Sequence, residues 1–287
     1  MEIRLLGPAV RIMVDGRTVD AGTLKERAIL ANLALEPGRV VPKRRLIDNV
    51  WGSTATASVR SSLYAYITRI RGRIRAAGAG VTLPSRSQGY SLEIPHAAVD
   101  WHRMRQLRER ARELVDAGND RAAAVLLSQA MELWEGDPLA EFEGAWTHGT
   151  RESMHHTWQI VLKLWAECSL RIGHCDDVVA HVSEPAAQHP PNEKLVVLLM
   201  RALAGSGRHA AALDVHARLR ERLADEWGTQ PSDATQEVFQ RILTGKGEGV
   251  ESAPERPRQE EEGSALLEGA ADQPEDCAGA EQPLAAA

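Results

Sequence analysis

The spacing of hydrophobic residues changes along the chain from alternation to a helical period. Residues 3–20 alternate apolar and polar positions in short segments, which predicts β-strands. Asp15 and Gly16 fall between two of these segments and predict a hairpin turn. From residue 23 onward apolar residues recur every three or four positions, which predicts helices. A second alternating stretch at residues 81–94 predicts a strand pair, and a helical pattern then continues from Val99 to about Leu243.

Three helices are predicted between the two alternating stretches. The first begins at Thr23, because Thr23 and Glu26 have the spacing of a capping box, and it ends before Pro37. The second runs from about Pro42 to Trp51, and its proline is tolerated because it lies in the first helical turn. The third covers residues 58–76 and carries the most information about function.

The third helix has two contrasting faces. One is an apolar stripe with spacings of four, seven and eleven residues, expected to be buried and to include Tyr66. An α-helix fits the major groove of DNA, and arginine offers paired donors to guanine and to phosphate. A helix with a basic outer face before a strand pair therefore predicts a winged helix-turn-helix. At about 100° per residue, that outer face contains Ser61, Tyr64, Ala65, Thr68, Arg69, Arg71, Gly72 and Arg75.

The long helical region contains a repeated turn. Gly118, Gly173 and Gly207 each lie between two amphipathic segments, and the last two are 34 residues apart, which is the tetratricopeptide period. The first interval is 55 residues, and the segment 136–145 accounts for much of its excess. Five of the seven tryptophans lie between residues 101 and 165 and are expected to pack in the core of this region.

The overall net charge of −6 conceals large differences in charge between these regions. Residues 1–95 hold 15 basic and 7 acidic side chains, residues 96–245 hold 16 and 22, and residues 246–287 hold 3 and 11. The sequence therefore predicts three parts: a basic winged-helix domain (1–95), an all-helical tetratricopeptide-like domain (96–245) and a disordered acidic tail (246–287). The predicted fold class is mainly α with a small β component.

Several classes of function find no support in the sequence. No apolar run approaches the length of a membrane span and no signal peptide is recognised, so we expect a cytoplasmic protein without membrane contact. No nucleotide-binding loop or hydrolase motif is present, and we expect no catalytic site and no cofactor. The set Cys168, His174, Cys175 and His181 lacks the spacing of a zinc site, and we expect no bound metal.

Several motifs, specific only in combination, resemble those of one bacterial family. They include Leu5-Leu6-Gly7-Pro8, Lys25-x-Arg27, Leu46-Ile47-Asp48-x-Val50-Trp51-Gly52, Arg60-x-x-Leu63-x-Ala65-Tyr66-Ile67-Thr68-Arg69-Ile70-Arg71 and Arg86-x-x-Gly89-Tyr90-x-Leu92. Over residues 3–245 the chain resembles the SARP-type regulators (Streptomyces antibiotic regulatory proteins). This family joins an OmpR-type winged helix to a bacterial transcriptional activation domain.

The resemblance implies a DNA-reading surface on the third helix and the wing. The residues that it brings to this surface are Arg60, Ser61, Tyr64, Thr68, Arg69 and Arg71 on the helix and Arg86 and Gln88 in the wing. Arg75 joins them because it lies on the predicted outer face. Lys25, Arg27, Lys43, Arg44 and Arg45 either clamp phosphates or are simply solvated, and the sequence leaves both readings open. Trp51 and Tyr90 are expected in the core.

The resemblance also implies the function: a transcriptional activator that binds direct repeats near the −35 element and recruits RNA polymerase through its sigma and alpha subunits. The regulated pathway would be antibiotic or other secondary-metabolite biosynthesis. We expect a homodimer or side-by-side pair on double-stranded DNA, associated with the nucleoid. Two alternatives remain open: a tetratricopeptide-type protein- or ligand-binding scaffold, and a repressor that uses the same DNA module.

Overall fold

A computed structural model describes residues 1–52, 58–77, 80–188 and 192–245, which belong to one compact unit. Within these residues the chain forms ten α-helices and five short β-strands. The expected fold class, mainly α with a small β component, is confirmed. The expected acidic tail, residues 246–287, lies outside the described residues.

The chain begins with a three-stranded antiparallel sheet. Strands β1 (Glu2–Arg4), β2 (Arg11–Val14) and β3 (Arg17–Val19) pair in sequence order. The turn between β2 and β3 has positive φ at both central residues, 48° at Asp15 and 77° at Gly16, which matches the right-handed twist of a hairpin. The predicted hairpin turn at these residues is therefore confirmed.

Three helices follow: α1 (Leu24–Ala34), α2 (Lys43–Trp51) and α3 (Val59–Ala76). Thr23 precedes α1 as predicted, and its backbone N–H donates to the Glu26 carboxylate over 2.7 Å. Helix α1 is buried along most of its length and packs against α2 and α3. Only the apolar side chain of Leu24, at the start of the helix, is largely exposed.

The wing differs in detail from the predicted strand pair. Residues 82–93 do form a hairpin, in which Thr82 and Glu93 exchange two backbone hydrogen bonds. The regular strand β5, however, is only Gly89–Tyr90, and it pairs with β4 (Val41–Pro42), where the sequence pattern predicted the start of a helix. Gly89 permits this pairing because a Cβ atom there would overlap the carbonyl oxygen of Val41.

The helical region begins after a 3₁₀ turn at His96–Ala98. Its three glycine turns are confirmed: Gly118, Gly173 and Gly207 have φ of 74°, 82° and 75° and end the preceding helices with the same pattern of backbone hydrogen bonds. Its helices are α4 (Asp100–Asp116), α5 (Asp120–Met131), α6 (Ala145–Arg171), α7 (Cys175–Gln188), α8 (Glu193–Gly205), α9 (His209–Trp227) and α10 (Asp233–Leu243).

Of the five tryptophans expected in the core of this region, two are buried and three are half-buried against the core. Trp101 and Trp165 are buried, and the Trp165 indole N–H donates to Ser128 over 2.9 Å. Trp134 and Trp158 are half-buried and stack on each other with ring centroids 5.4 Å apart. These contacts fix α6 against α5 and the loop that follows it.

The extra segment between the first two glycine turns contacts the N-terminal part of the chain. This segment, residues 132–144, is called the junction loop below. Its backbone N–H groups at Glu135, Leu139 and Glu141 donate to the carbonyl oxygens of Leu6, Gly7 and Pro8 over 2.8–2.9 Å. Leu139 is fully buried and has a φ of 56°, a strained conformation that persists only where surrounding contacts hold it.

Asp100 fixes the same stretch from α4. Its carboxylate is buried and accepts the backbone N–H groups of Leu5, Leu6 and Trp101 over 2.7–2.9 Å. Burial raises the pKa of Asp100 to about 6, although the three N–H donors act in the opposite direction. The motif Leu5-Leu6-Gly7-Pro8 thus serves the connection between the basic region and the helical region.

Candidate nucleic-acid interface

Helix α3 separates into a buried and an exposed face as the sequence predicts. Val59, Leu63, Ile67, Ile70 and Ile74 are each at most 5% exposed and pack into the core beneath the helix. Tyr66 is only half-buried, and its ring lies 6.0 Å from the ring of Trp51, which is half-buried as well rather than fully in the core. The buried stripe holds the opposite face toward solvent.

The exposed face carries basic and hydroxyl groups. Arg60, Arg69 and Arg75 are exposed, and within the described part of the chain none of them has a carboxylate at ion-pair distance. The Arg69 guanidinium lies over the Tyr66 ring, 5.4 Å from its centroid, which limits the directions in which it can point. Three arginines thus remain available to an external anion.

The hydroxyl groups on this face differ in what they can still bind. Ser61 donates to the carbonyl oxygen of Ser58 over 2.6 Å, and Thr68 donates to that of Tyr64 over 2.9 Å. Both hydroxyls keep their acceptor capacity for an outside donor. Tyr64 is 53% exposed, so much of its ring faces solvent on this side of the helix.

Arg71 connects α3 to the wing. Its Nε donates to the carbonyl oxygen of Leu83 over 2.7 Å, and a terminal nitrogen donates to the Ser85 hydroxyl over 2.9 Å. Its guanidinium also lies 5.9 Å from the centroid of the Tyr90 ring. Arg71 therefore sets the position of the wing relative to the helix, in addition to any contact with a ligand.

Lys43 forms the other side of this arrangement. Its ammonium group lies 3.3 Å from the Tyr64 hydroxyl and 5.8 Å from the Tyr90 ring, and its backbone N–H donates to the carbonyl oxygen of Gln88. Tyr90 is buried, as expected, and burial raises its pKa above the ordinary value. The start of α2, the outer face of α3 and the wing thus meet around the Tyr90 ring.

The wing loop presents Arg86 and Gln88. Both are exposed, and Arg86 donates to the Glu93 carboxylate over 3.1 Å and to the Ser91 hydroxyl over 3.4 Å. The hydrogen bond from Ser91, and then that from Arg86, lower the pKa of Glu93 and keep it ionised. This ion pair is exposed and therefore weak, so Arg86 can exchange Glu93 for a phosphate at little cost.

The five flanking cations lie in different surroundings, and Arg45 is paired with Glu36 over 2.5 Å. Arg44 has the most exposed side chain of the set, at 93%, and faces Asp48 one turn away. The Lys25 ammonium lies 4.7 Å from the centroid of the Trp51 ring. Arg27 is instead bound by the junction loop: its Nε donates to the Glu141 carboxylate over 2.8 Å and a terminal nitrogen over 2.5 Å. The structure brings Lys43 to the surface formed by α3 and the wing and gives Arg27 a partner inside the protein.

Sequence reasoning missed two residues that support this surface. Arg73, on the inner side of α3, forms ion pairs with Asp20 and with Glu26 of α1. Glu141 reaches the start of α1 from the helical region. Arg73 could have been recognised because its position falls between the predicted faces, whereas no sequence pattern marks Glu141.

The cysteines and histidines considered for a metal site are occupied in other ways. The described residues contain no group of three potential ligands placed to hold an ion. Cys168 is buried in α6, and burial raises its pKa to about 11. The His181 ring packs edge-on against Trp165, and His174 faces Asp177.

No helix of the described residues has the length and apolar character that crossing a membrane requires.

The two regions of the chain match two family models. Residues 17–92 match "Transcriptional regulatory protein, C terminal", and residues 99–243 match "Bacterial transcriptional activator domain". The chain therefore belongs to the SARP family of bacterial transcriptional regulators, as its sequence motifs suggested. This is a class of regulators rather than of enzymes, which agrees with the lack of catalytic motifs.

Individual relatives give the same result. The chain is 31% identical to the regulatory protein DnrI of Streptomyces peucetius over 265 residues, which cover 90% of this chain and 97% of DnrI. It is 36% identical to the regulatory protein AfsR of Streptomyces coelicolor over 241 residues, 83% of this chain but only 24% of AfsR. The chain thus spans about a quarter of the AfsR length and nearly all of DnrI.

A solved structure supports the arrangement of the elements. The structure titled "Mycobacterium tuberculosis EmbR in complex with low affinity phosphopeptide" superimposes with a TM-score of 0.79 at 28% identity. The match covers 85% of this chain and 65% of the EmbR chain. The winged helix and the helical region of this chain thus follow each other in the same arrangement as in EmbR.

Proposed function

We propose that this protein is a sequence-specific DNA-binding activator of transcription in which α3 enters the major groove. The observation that carries the proposal is the outer face of α3, where Arg60, Arg69 and Arg75 are exposed without carboxylate partners among the described residues. At 18 residues the helix is about 27 Å long, enough to follow the groove. Ser61, Tyr64 and Thr68 lie between the arginines and offer additional contacts to base edges.

The wing and the start of α2 contribute contacts to the DNA backbone in this proposal. Arg86 and Gln88 reach an adjacent phosphate or minor groove, while Lys43 and the exposed Arg44 bind phosphates near the start of α2. Lys25 remains a weaker candidate because its ammonium group lies over Trp51. Arg27 is left out of the proposed contact set, since Glu141 already binds its guanidinium.

Family membership suggests how the protein acts once it is bound. Two copies would bind direct repeats near the −35 element side by side, and the helical region would contact the sigma and alpha subunits of RNA polymerase. The regulated genes would encode antibiotic or other secondary-metabolite biosynthesis, and the protein would act in the cytoplasm at the nucleoid. We propose the domain boundaries 1–95, 96–245 and 246–287, with DNA binding in the first domain and contacts to proteins in the second.

Footprinting and transcription with purified components test this proposal. The full-length protein should protect direct repeats upstream of neighbouring genes from nuclease digestion, and it should increase transcription by purified RNA polymerase from those promoters. With about six phosphate contacts, log Kd should depend on log salt concentration with a slope of about 5. Protection with reduced transcription would identify a repressor, and no protection at low salt would contradict DNA reading altogether.

A second function is favoured by a groove in the helical region. Helices α7, α8 and α9 enclose a volume of about 630 Å³ with an apolar wall that includes Val196, Leu199 and Leu219, and with Arg218 and Arg222 at its edge. Tetratricopeptide-like helices commonly bind extended peptides in such grooves. A protein-binding scaffold that does not act through DNA would bind a partner protein equally well in the Arg69→Ala variant, and it would leave every duplex unprotected.

A further inference from the structure

A second basic surface lies away from α3, in a groove beside α4. An open groove of about 900 Å³ is bordered by the segment after α1, from Leu35 to Arg39, by the 3₁₀ turn at His96 and Ala97, and by the first half of α4. This volume is at the upper end of the range for small-molecule sites. We call it the α4 groove.

Four arginines line the α4 groove, and their charge is poorly compensated. Arg39 and Arg110 are exposed and have no ion-pair partner in the described ranges. The nearest carboxylate to Arg103 is Glu2, at 3.9 Å. Arg105 lies over the Trp101 ring, 5.7 Å from its centroid, which holds its guanidinium in place without neutralising it.

The carboxylates at the edge of the groove are already paired with other residues. Glu36 accepts from Arg45 over 2.5 Å, and Glu109 forms an ion pair with Arg108. Each carboxylate thus has an arginine outside the groove as its closest partner, although Arg105 also interacts with Glu109 electrostatically. Three of the four arginines, Arg103, Arg105 and Arg110, lie in residues 96–245, a region whose total charge is negative, and Arg39 joins them from the basic region.

The groove is lined by apolar as well as polar groups, and the apolar part is called its floor below. Leu35, Pro37, Ala97 and Leu107 contribute to it, together with His102. The His102 ring is buried, with Nε2 3.1 Å from the carbonyl oxygen of Ala34, and burial lowers its pKa, so the ring stays neutral near pH 7. An apolar or aromatic group can pack on such a floor while the arginines contact charges at the edge.

We propose that the α4 groove binds a small organic anion that carries two or more phosphate groups on an apolar or ring-shaped body. Guanidinium groups bind phosphate oxygens in pairs, and arginine is the residue best suited to this geometry. In this proposal the four arginines bind the phosphate groups of the ligand, and its apolar or ring-shaped body packs on the floor of the groove. A nucleotide has this combination of groups and fits the volume.

The groove lies apart from the proposed DNA surface. A chain segment runs from Gln88 in the wing loop to Leu92. At Leu92 it contacts the side of the groove, because the Leu92 carbonyl oxygen accepts a hydrogen bond from the Gly38 N–H. Four residues of extended chain separate the two ends by about 13 Å. The occupant that we propose is a free anion, and contact of the groove with the phosphates of a duplex on α3 is the alternative that the variants below test.

Titration calorimetry with ATP as the probe tests the proposal on the full-length protein. At low salt we expect saturable one-site binding to ATP, weakening as salt rises, and no heat with adenosine. The double variant Arg39→Gln/Arg110→Gln should raise the Kd at least tenfold. Arg112→Gln is the matched control, because Arg112 is exposed on the same helix but does not line the groove.

A second pair of variants separates the groove from the DNA surface. Arg69→Gln/Arg75→Gln should leave the Kd for ATP unchanged while it weakens binding to duplex DNA. An unchanged Kd for ATP in the groove variant, loss of ATP binding in the α3 variant, or adenosine binding as tightly as ATP would each overturn the proposal. Loss of duplex affinity in the groove variant as large as in the α3 variant would also overturn it, because the groove would then contact DNA.

Discussion

The contact between Arg27 and Glu141 gives a sharp prediction, because the two possible roles of Arg27 have different consequences. Substituting Glu141 by Gln removes the charge that binds the guanidinium and weakens the acceptor for the Val10 N–H, 2.7 Å away. Substituting Arg27 by Gln removes the other half of the pair. If Arg27 mainly joins the two regions of the chain, both variants should lose the same interaction.

The expected magnitude follows from the burial of the pair. The Glu141 side chain is 12% exposed and that of Arg27 is 27% exposed, so the pair is only partly screened by water. Hydrogen bonds to charged groups contribute about 1.5–3 kcal/mol each, and partial exposure reduces the total. We expect each single variant to lower the free energy of unfolding by about 2–3 kcal/mol. In a domain of this size this loss corresponds to a decrease in Tm of about 4–12 °C.

A double-mutant cycle and a salt titration provide the assay. Chemical denaturation of the two single variants and the double variant should give a coupling energy of about 1–2 kcal/mol. This is less than either single loss because each residue also has a contact of its own, Glu141 with the Val10 N–H and Arg27 with the Gly22 carbonyl oxygen. The slope of log Kd for DNA against log salt should stay the same in Arg27→Gln. Additive effects within about 0.5 kcal/mol, together with a slope reduced by about one, would refute the reasoning and return Arg27 to the phosphate contacts.

Three further predictions concern the junction, the wing and the third helix. Because the pKa of Asp100 is raised from 3.8 to about 6 in the folded protein, the folded state holds this proton more tightly, and stability should fall as pH rises from about 4 to about 6. Denaturation curves of Asp100→Asn should lack this component, and an unchanged pH dependence would contradict the assignment. Gly89→Ala should separate β4 from β5, seen as faster hydrogen exchange at Tyr90 and weaker DNA binding, whereas exchange like that of the wild type would show that the close contact is not needed. Gly72→Ala, at an exposed helical position with open space around it, should stabilise the protein by about 1 kcal/mol, and a lower Tm would disagree with an unstrained helix there.

The periodic parts of the structure could be predicted from the sequence. The buried and exposed faces of α3 follow from a regular spacing that the core enforces, and the three glycine turns follow from the need for positive φ after a helix. The hairpin at Asp15 and Gly16 is fixed by local turn geometry in the same way. These elements could be predicted because each depends on residues that are close together in the sequence.

The elements that depend on distant contacts could not be predicted. Val41 and Pro42 form a strand only because Gly89, far along the chain, allows a backbone to approach closely. The junction loop has no periodic pattern, and the roles of Glu141 and Asp100 depend on carbonyl and N–H groups near residue 6 that the sequence does not mark as unpaired. The candidate site was likewise predicted as a set of residues, but not the contacts through which Arg71 and Lys43 place the wing.

Binding of Arg69→Ala to an operator and to a scrambled duplex tests the central claim, that the outer face of α3 reads DNA sequence. Fluorescence anisotropy on the footprinted repeat should show specific binding weaker by about 1–3 kcal/mol, which is roughly 5- to 150-fold, with much less change on the scrambled duplex. The control Arg121→Ala, at an exposed position on α5, should bind both duplexes like the wild type. Equal binding of Arg69→Ala and the wild type to the operator, or an equal loss on both duplexes, would contradict the claim.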